Sequence, residues 1–389
     1  MTGEQLIAGV EAVSQEINRG GYFLVAAAEG LLAQLPKGNW IGGTIPYFMT
    51  DAGGVHASDK VYALKLPPYV AGAEIKAYSE RTISGVYLDA PVNGFSLIVI
   101  PADSRTHFSF ALNANSYEDF ADSPLAGWIA GVPLSEMGKT RAKIFDGRTG
   151  TAMEDGALVM HVSLPKGRTA VIGVLNVFEP AEGDVLTFPE SGFSASEVIV
   201  NGERRNFGRY LAEKRLDTKL PLVTEHRGTM VNVSFKEVDP LKGEVHFYAP
   251  VFKGAEYRQA KPLGDYLRAF DGQRPAGIED RLVFSCNCIL NYVHCGLEGR
   301  RTVGFTGPIT FGEIAYSLLN QTVVYVEIVT ANLAERLRDE TALRRLNREI
   351  LKQRDEILVL KNAIEQSSMG VVMTNTAGEI EYVNPAYTS

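Results

Sequence analysis

Apolar residues over the first 330 positions come in short runs punctuated by Gly and Pro, and long helical stripes are absent. Runs rich in β-branched and aromatic residues at 94–100 (GFSLIVI), 157–163 (ALVMHVS), 170–178 (AVIGVLNVF), 230–235 (MVNVSF), 244–248 (EVHFY) and 281–285 (RLVFS) predict strands. Helical spacing at 5–17 and 22–35 predicts two helices, the second stopped by Leu35-Pro36-Lys37-Gly38. Residues 265–270 and 311–320 are shorter helix candidates. Many strands with few helices predict an α+β (mixed α/β) fold. The stretch is long for one core, which predicts a two-lobed body of mixed sheets with flanking helices, divided into 1–205 and 206–329. The division falls in the polar run 205–221 (RNFGRYLAEKRLDTKLP), which reads equally as one surface helix inside a single domain.

From Thr330 the pattern changes. No Gly or Pro occurs between Val329 and Met369, and Glu, Arg, Lys and Leu dominate. Leu343, Leu346, Ile350, Gln353, Ile357, Leu360 and Ile364 alternate spacings of three and four, the a/d seam of a coiled coil with one polar position. About 36 residues at ~1.5 Å each predict a signalling helix of roughly 54 Å over 330–366, paired in a parallel homodimer. Leu333 and Leu337 are out of phase with Leu343, so the register shifts near Asp339. Residues 367–389 then read as strand, Asn-Thr-Ala-Gly turn and alternating strand. In order and spacing, Met369-Gly370-Val371-Val372 through Ile380-Glu381-Tyr382-Val383-Asn384-Pro385-Ala386 resembles the opening hairpin of a PAS domain, which implies a truncated PAS start.

At 389 residues, with 45% hydrophobic and 22% charged positions, the composition is globular and excludes disorder as the main state. The net charge of −8 argues against nucleic acid as a partner. The longest apolar runs fall far short of the roughly 18 residues a membrane span needs. The start, Met1-Thr2-Gly3-Glu4-Gln5, lacks the basic segment of a secretory signal, so a cytoplasmic location is expected.

Three cysteines, Cys286, Cys288 and Cys295, lie within one ten-residue segment with His294. Their C-x-C spacing lacks a zinc knuckle, so no metal is expected. If the preceding strand continues, Cys286 and Cys288 share one face and Asn287 the other. A thiol redox or metal sensor using the three cysteines is one alternative. A cysteine-dependent enzyme pairing Cys286 or Cys288 with His294 or Glu313 is another. Two glycine-bearing segments, Trp40-Ile41-Gly42-Gly43-Thr44-Ile45-Pro46 and Gly304 to Ile314, match no phosphate-binding motif. Their glycines permit close backbone approach, and both carry a Thr hydroxyl. Thr310 and Glu313 read either as pocket residues or as the N-cap and capping-box residue of the helix predicted at 311–320.

Val231 to Ser234, Val245 to Pro250, Leu282-Val283-Phe284-Ser285-Cys286-Asn287 and Gly307-Pro308-Ile309-Thr310-Phe311-Gly312-Glu313-Ile314 together resemble the C-terminal half of the FIST sensory domain. Ile41-Gly42-Gly43-Thr44 is similar, more weakly, to its N-terminal half. The resemblance spans most of residues 20–330. The chain departs from it after the cysteine, where the family carries Gly-Arg and Cys288-Ile289-Leu290-Asn291 stands here. The resemblance implies an intracellular module that senses a small molecule such as an amino acid and acts through linked PAS and output domains. Taken together, these readings predict a non-enzymatic sensor without a cofactor. Its ligand is expected at Gly42, Gly43, Thr44, Cys286, Asn287, Asn291, Thr310, Gly312 and Glu313, with the signal relayed through a dimeric coil.

Overall fold

A computed structural model describes residues 3–120, 122–226, 229–239, 242–339, 353, 362–375 and 379–388. Two compact units emerge, residues 1–331 and 332–389. Among the described residues no helix is long and apolar enough to cross a membrane.

The first unit is a mixed α+β body built on three six-stranded sheets. The first runs Glu4–Ala8, Val61–Lys65, Phe23–Ala27, Trp40–Thr44, Ile144–Asp146, Thr151–Met153 in spatial order. The second runs Ser317–Leu319, Glu313–Ala315, Leu125–Ala130, Gly94–Pro101, Ala157–Ser163, Gly72–Tyr78. The third runs Arg168–Leu175, Val323–Thr330, Leu282–Cys288, Gly307–Thr310, Tyr47–Thr50, Gly53–His56. One main core takes side chains from all three, among them Leu24, Tyr62, Leu97, Trp128, Met160, Phe284 and Val324. A second core lies on the opposite face of the second sheet beneath Ile83, Val86, Tyr87 and Phe110. Three small sheets between residues 186 and 259 enclose their own aromatic core of Phe188, Phe207, Phe235, Phe247 and Tyr257.

The expected boundary at 205/206 falls inside the strand Glu203–Asn206, whose partner is Glu197–Val200. The polar run beyond it contributes the surface helix Phe207–Lys214, capped by Asn206. Strands from early and late in the chain meet within single sheets, as Arg168–Leu175 does with Val323–Thr330. Non-local pairing of this kind makes 1–331 one unit where two lobes were expected.

The strands predicted at 94–100, 157–163 and 281–285 are present as Gly94–Pro101, Ala157–Ser163 and Leu282–Cys288. Three helix assignments are corrected. Residues 5–17 open on the strand Glu4–Ala8, paired with Val61–Lys65, and only Val10–Asn18 is helical. Residues 22–35 hold the strand Phe23–Ala27, buried at every position between Val61–Lys65 and Trp40–Thr44, before a single turn Glu29–Leu32. A strand covered on both faces has no polar alternation, and its continuous apolar run passes for a helix. Residues 311–320 form a hairpin of Glu313–Ala315 and Ser317–Leu319 that turns at Tyr316, where φ is +60°. Cross-sheet pairing of Glu313–Ala315 with Leu125–Ala130 overrides the capping-box pattern.

In the second unit residues 332–339 are helical, and Val372–Thr374 pairs with Ile380–Val383. Gln353 and Ile364 are helical, whereas Leu343, Leu346, Ile350, Ile357 and Leu360 of the expected seam lie outside the described residues. Asn384 is buried and ties this unit together. Its side chain accepts from the Val371 N–H at 2.7 Å and donates to the carbonyls of Ile364 (3.0 Å) and Met369 (2.9 Å).

Candidate functional site

Leu282–Cys288 is buried along its whole length. It lies antiparallel to Val323–Thr330 and parallel to Gly307–Thr310, with Cys288 in register with Thr310. Gly307 holds φ at +147°, and a Cβ there would sit 2.1 Å from the Ser285 carbonyl oxygen, so only glycine lets these strands approach. Past Thr310 the chain leaves the third sheet and enters the second as Glu313–Ala315, with Glu313 opposite Trp128. Glu313 therefore stands at the junction of two sheets and is fully buried.

No cation pairs with it among the described residues. Its Oε2 accepts from the Thr322 N–H (3.1 Å) and the Thr322 hydroxyl (2.9 Å), while Oε1 lies 3.5 Å from Thr310 Oγ1. Desolvation pushes its pKa up to about 8 against these hydrogen bonds. Burial thus drives Glu313 toward its neutral, protonated form. The Thr310 hydroxyl that faces Oε1 also faces the carbonyls of Gly312 (3.1 Å) and Asn287 (3.3 Å).

Asparagines continue this network. Asn287 Oδ1 accepts from the Cys288 N–H (2.7 Å) and from Asn291 Nδ2 (3.0 Å), which also reaches Tyr266 Oη at 3.2 Å. Asn320 and Gln321 adjoin Thr322, and all three are buried. Asn232 donates to the Asn320 carbonyl at 3.0 Å, and Ser234 donates to Gln321 Oε1 at 2.7 Å. Four polar atoms here lack a hydrogen-bond partner among the described residues: Asn287 Nδ2, Asn291 Oδ1, Asn320 Oδ1 and Trp128 Nε1. Unpaired polar atoms are costly in a dry core and are uncommon in native proteins. The crevice between Met49, Asn287, Phe305 and Gly307 has no room for a water molecule.

Of the expected site residues, Cys286, Asn287, Asn291, Thr310, Gly312 and Glu313 converge on this network. Gly42, Gly43 and Thr44 lie in the strand Trp40–Thr44, where the two glycines serve packing. A Cβ on Gly42 would lie 2.6 Å from the Val25 carbonyl oxygen, and one on Gly43 would lie 2.7 Å from Val99 Cγ1 and 3.4 Å from Trp128 Nε1. Thr44 accepts the Lys143 N–H at 2.9 Å. Trp128, the strand partner of Glu313, is therefore the side chain that reaches Gly43. Thr322, Trp128, Tyr266 and Asn320 were missed by sequence reasoning. The uncharged trio Asn320-Gln321-Thr322 before an apolar run is a weak sign of the loop, and it reads as solvent-exposed.

The thiols are poor nucleophiles. Burial, and then the Glu313 carboxyl, hold Cys286 and Cys288 well above the ordinary thiol range, and burial raises Cys295 to about 11. His294 is exposed, and no hydrogen bond joins it to a cysteine. Among the described residues no three His, Cys, Asp or Glu side chains are grouped to hold a metal ion.

A family of unknown function, DUF6976, matches residues 8–329. The chain belongs to this family. Its matched span covers nearly the whole first unit, including every residue of the Glu313 network. No curated protein and no solved structure matches the chain.

Proposed function

We propose that the chain is a sensory input module whose first unit binds a small polar ligand at the Glu313 network and whose second unit passes the response on. The observation that carries this reading is the set of unpartnered amide atoms on Asn287, Asn291 and Asn320 beside a neutral buried acid. They offer one donor and two acceptors without net charge, which suits a compact neutral or zwitterionic metabolite such as an amino acid. A ligand enters by displacing the 320–322 loop from Glu313. That loop is continuous with Val323–Thr330 and then with the helix at 331–339, so movement at Thr322 bears on the strand that leads into the second unit. In this reading the FIST-like body is cytoplasmic, the 330–366 helix dimerises, and 367–389 begins a PAS domain. Only a difference in ligand affinity between two states of the relay transmits a signal.

The test is a thermal-shift screen of the purified chain against amino acids, nucleotides and neutral metabolites, repeated on Glu313→Gln and Thr310→Val. Ligand in excess raises apparent stability by mass action. A compound that stabilises the parent chain and loses that effect in both folded variants supports the reading. A screen without a hit, or a hit indifferent to both variants, defeats it.

A further inference from the structure

The sheet that holds Cys286, Asn287 and Thr310 ends on the strand Arg168–Leu175, paired throughout its length with Val323–Thr330 and with no described strand on its other side. In an antiparallel pair every second residue turns its N–H and C=O away from the partner. Among the described residues, the outward groups of 169–175 bond to no other backbone or side-chain group. The other edges of the large sheets are shorter or carry charge: Gly53–His56 has four residues and Glu4–Ala8 five, beginning on a glutamate. Thr151–Met153 and Ser317–Leu319 have three residues each, and Gly72–Tyr78 carries Glu74 and Lys76. Arg168–Leu175 has eight residues (RTAVIGVL), and none after Arg168 is charged or proline. Its Val171, Ile172 and Val174 side chains are only half-buried. A long, uncharged, β-branched edge of this kind is a template for another strand.

We propose that a second copy of this chain covers this edge, the two Arg168–Leu175 strands pairing antiparallel about a twofold axis at Ile172 and joining two six-stranded sheets into one. The strand is self-complementary in that arrangement. Arg168 of one copy lies across from Asn176 of the other, and the two Arg168 side chains stand roughly 26 Å apart at ~3.3 Å per residue, beyond the screening length of physiological salt. Parallel pairing in register would instead set Arg168 beside Arg168. The choice of a second copy as occupant rests on the dimeric reading proposed above, since the neighbouring strand Val323–Thr330 runs into the segment with the heptad pattern.

Light scattering and amide hydrogen exchange on the full chain test this, together with a Leu346→Pro/Ile350→Pro chain in which the heptad helix is broken. We expect the broken-coil chain to remain dimeric. Its 169–175 amides should exchange at least about tenfold more slowly at high than at low protein concentration. Adding Ile172→Lys should yield a monomer with an unchanged far-ultraviolet circular dichroism spectrum and no such protection. If Ile172→Lys fails to fold, the concentration dependence of the edge amides decides alone. A broken-coil chain that is monomeric throughout, with exchange at 169–175 independent of concentration, overturns the proposal and leaves the coil intact as the dimer contact. If Ile172→Lys alone makes the full chain monomeric, the edge pairing stands and the coil reading fails.

Discussion

Glu313 is the residue on which the pH response of the body turns. Its carboxyl ionises near 4.5 in an unfolded chain and near 8 in the fold, so between those values only the folded state holds the proton. Stability therefore falls as pH rises through that window. His107 and His161 act in the opposite sense. Burial lowers both to about 4 from 6.5, so below pH 6.5 the unfolded chain takes up protons that the fold refuses. The His161 ring is held in one tautomer. Tyr78 donates to Asp89 at 2.8 Å and so accepts from His161 Nε2 at 2.8 Å, leaving Nδ1 to accept from Ser96 at 2.7 Å. With two histidines opposing one glutamate, these three groups place maximal stability near pH 6.5. Urea titrations across pH 5 to 9 check this, and Glu313→Gln should flatten the alkaline limb; an unaltered limb in that variant refutes the assignment. The thiols follow the same burial logic. Iodoacetamide at pH 7.5 should leave Cys286 and Cys288 unmodified in the native chain and alkylate all three cysteines once it is unfolded, as read by intact mass.

Single side chains also decide whether whole elements fit together. Gly43→Ala drives a methyl group toward Val99 and Ala130 between two sheets, and chemical denaturation should show a loss of about 1–3 kcal/mol. Thr322→Val removes the hydroxyl bonded to Glu313 Oε2 while keeping the shape of the side chain, and should cost about 1–3 kcal/mol with no change in secondary structure. In the second unit, the hairpin Val372–Thr374 with Ile380–Val383 depends on Asn384, because a two-stranded ribbon has little stability of its own. Asn384→Ala should abolish amide protection across both strands and leave the first unit's unfolding midpoint unchanged.

At the scale of the whole molecule, shared sheets predict that residues 1–331 unfold together. Trp40 and Trp128 lie in different cores, yet their strands belong to sheets packed on one another. Tryptophan fluorescence and circular dichroism should therefore give coincident urea transitions. Cleavage between 215 and 221 should release no separately folded fragment, whereas two stable pieces would restore the two-lobed division.

Much of this architecture is legible along the chain because it depends on local chemistry. Alternating and β-branched runs at 94–100 and 157–163 mark strands whichever neighbours they acquire, and the loss of Gly and Pro after Val329 marks a change of character. The mixed α+β class follows from those patterns. So does the shared face of Cys286 and Cys288, which a strand's period of two imposes. Tertiary structure alone decided the rest. Phe23–Ala27 became a strand because sheet partners cover both its faces, and 311–320 became a hairpin because Leu125–Ala130 pairs with it. Glu313 became a buried neutral acid held by Thr322 for the same reason. Burial and hydrogen-bond partners are supplied by residues far away in sequence, and no local pattern encodes which ones arrive.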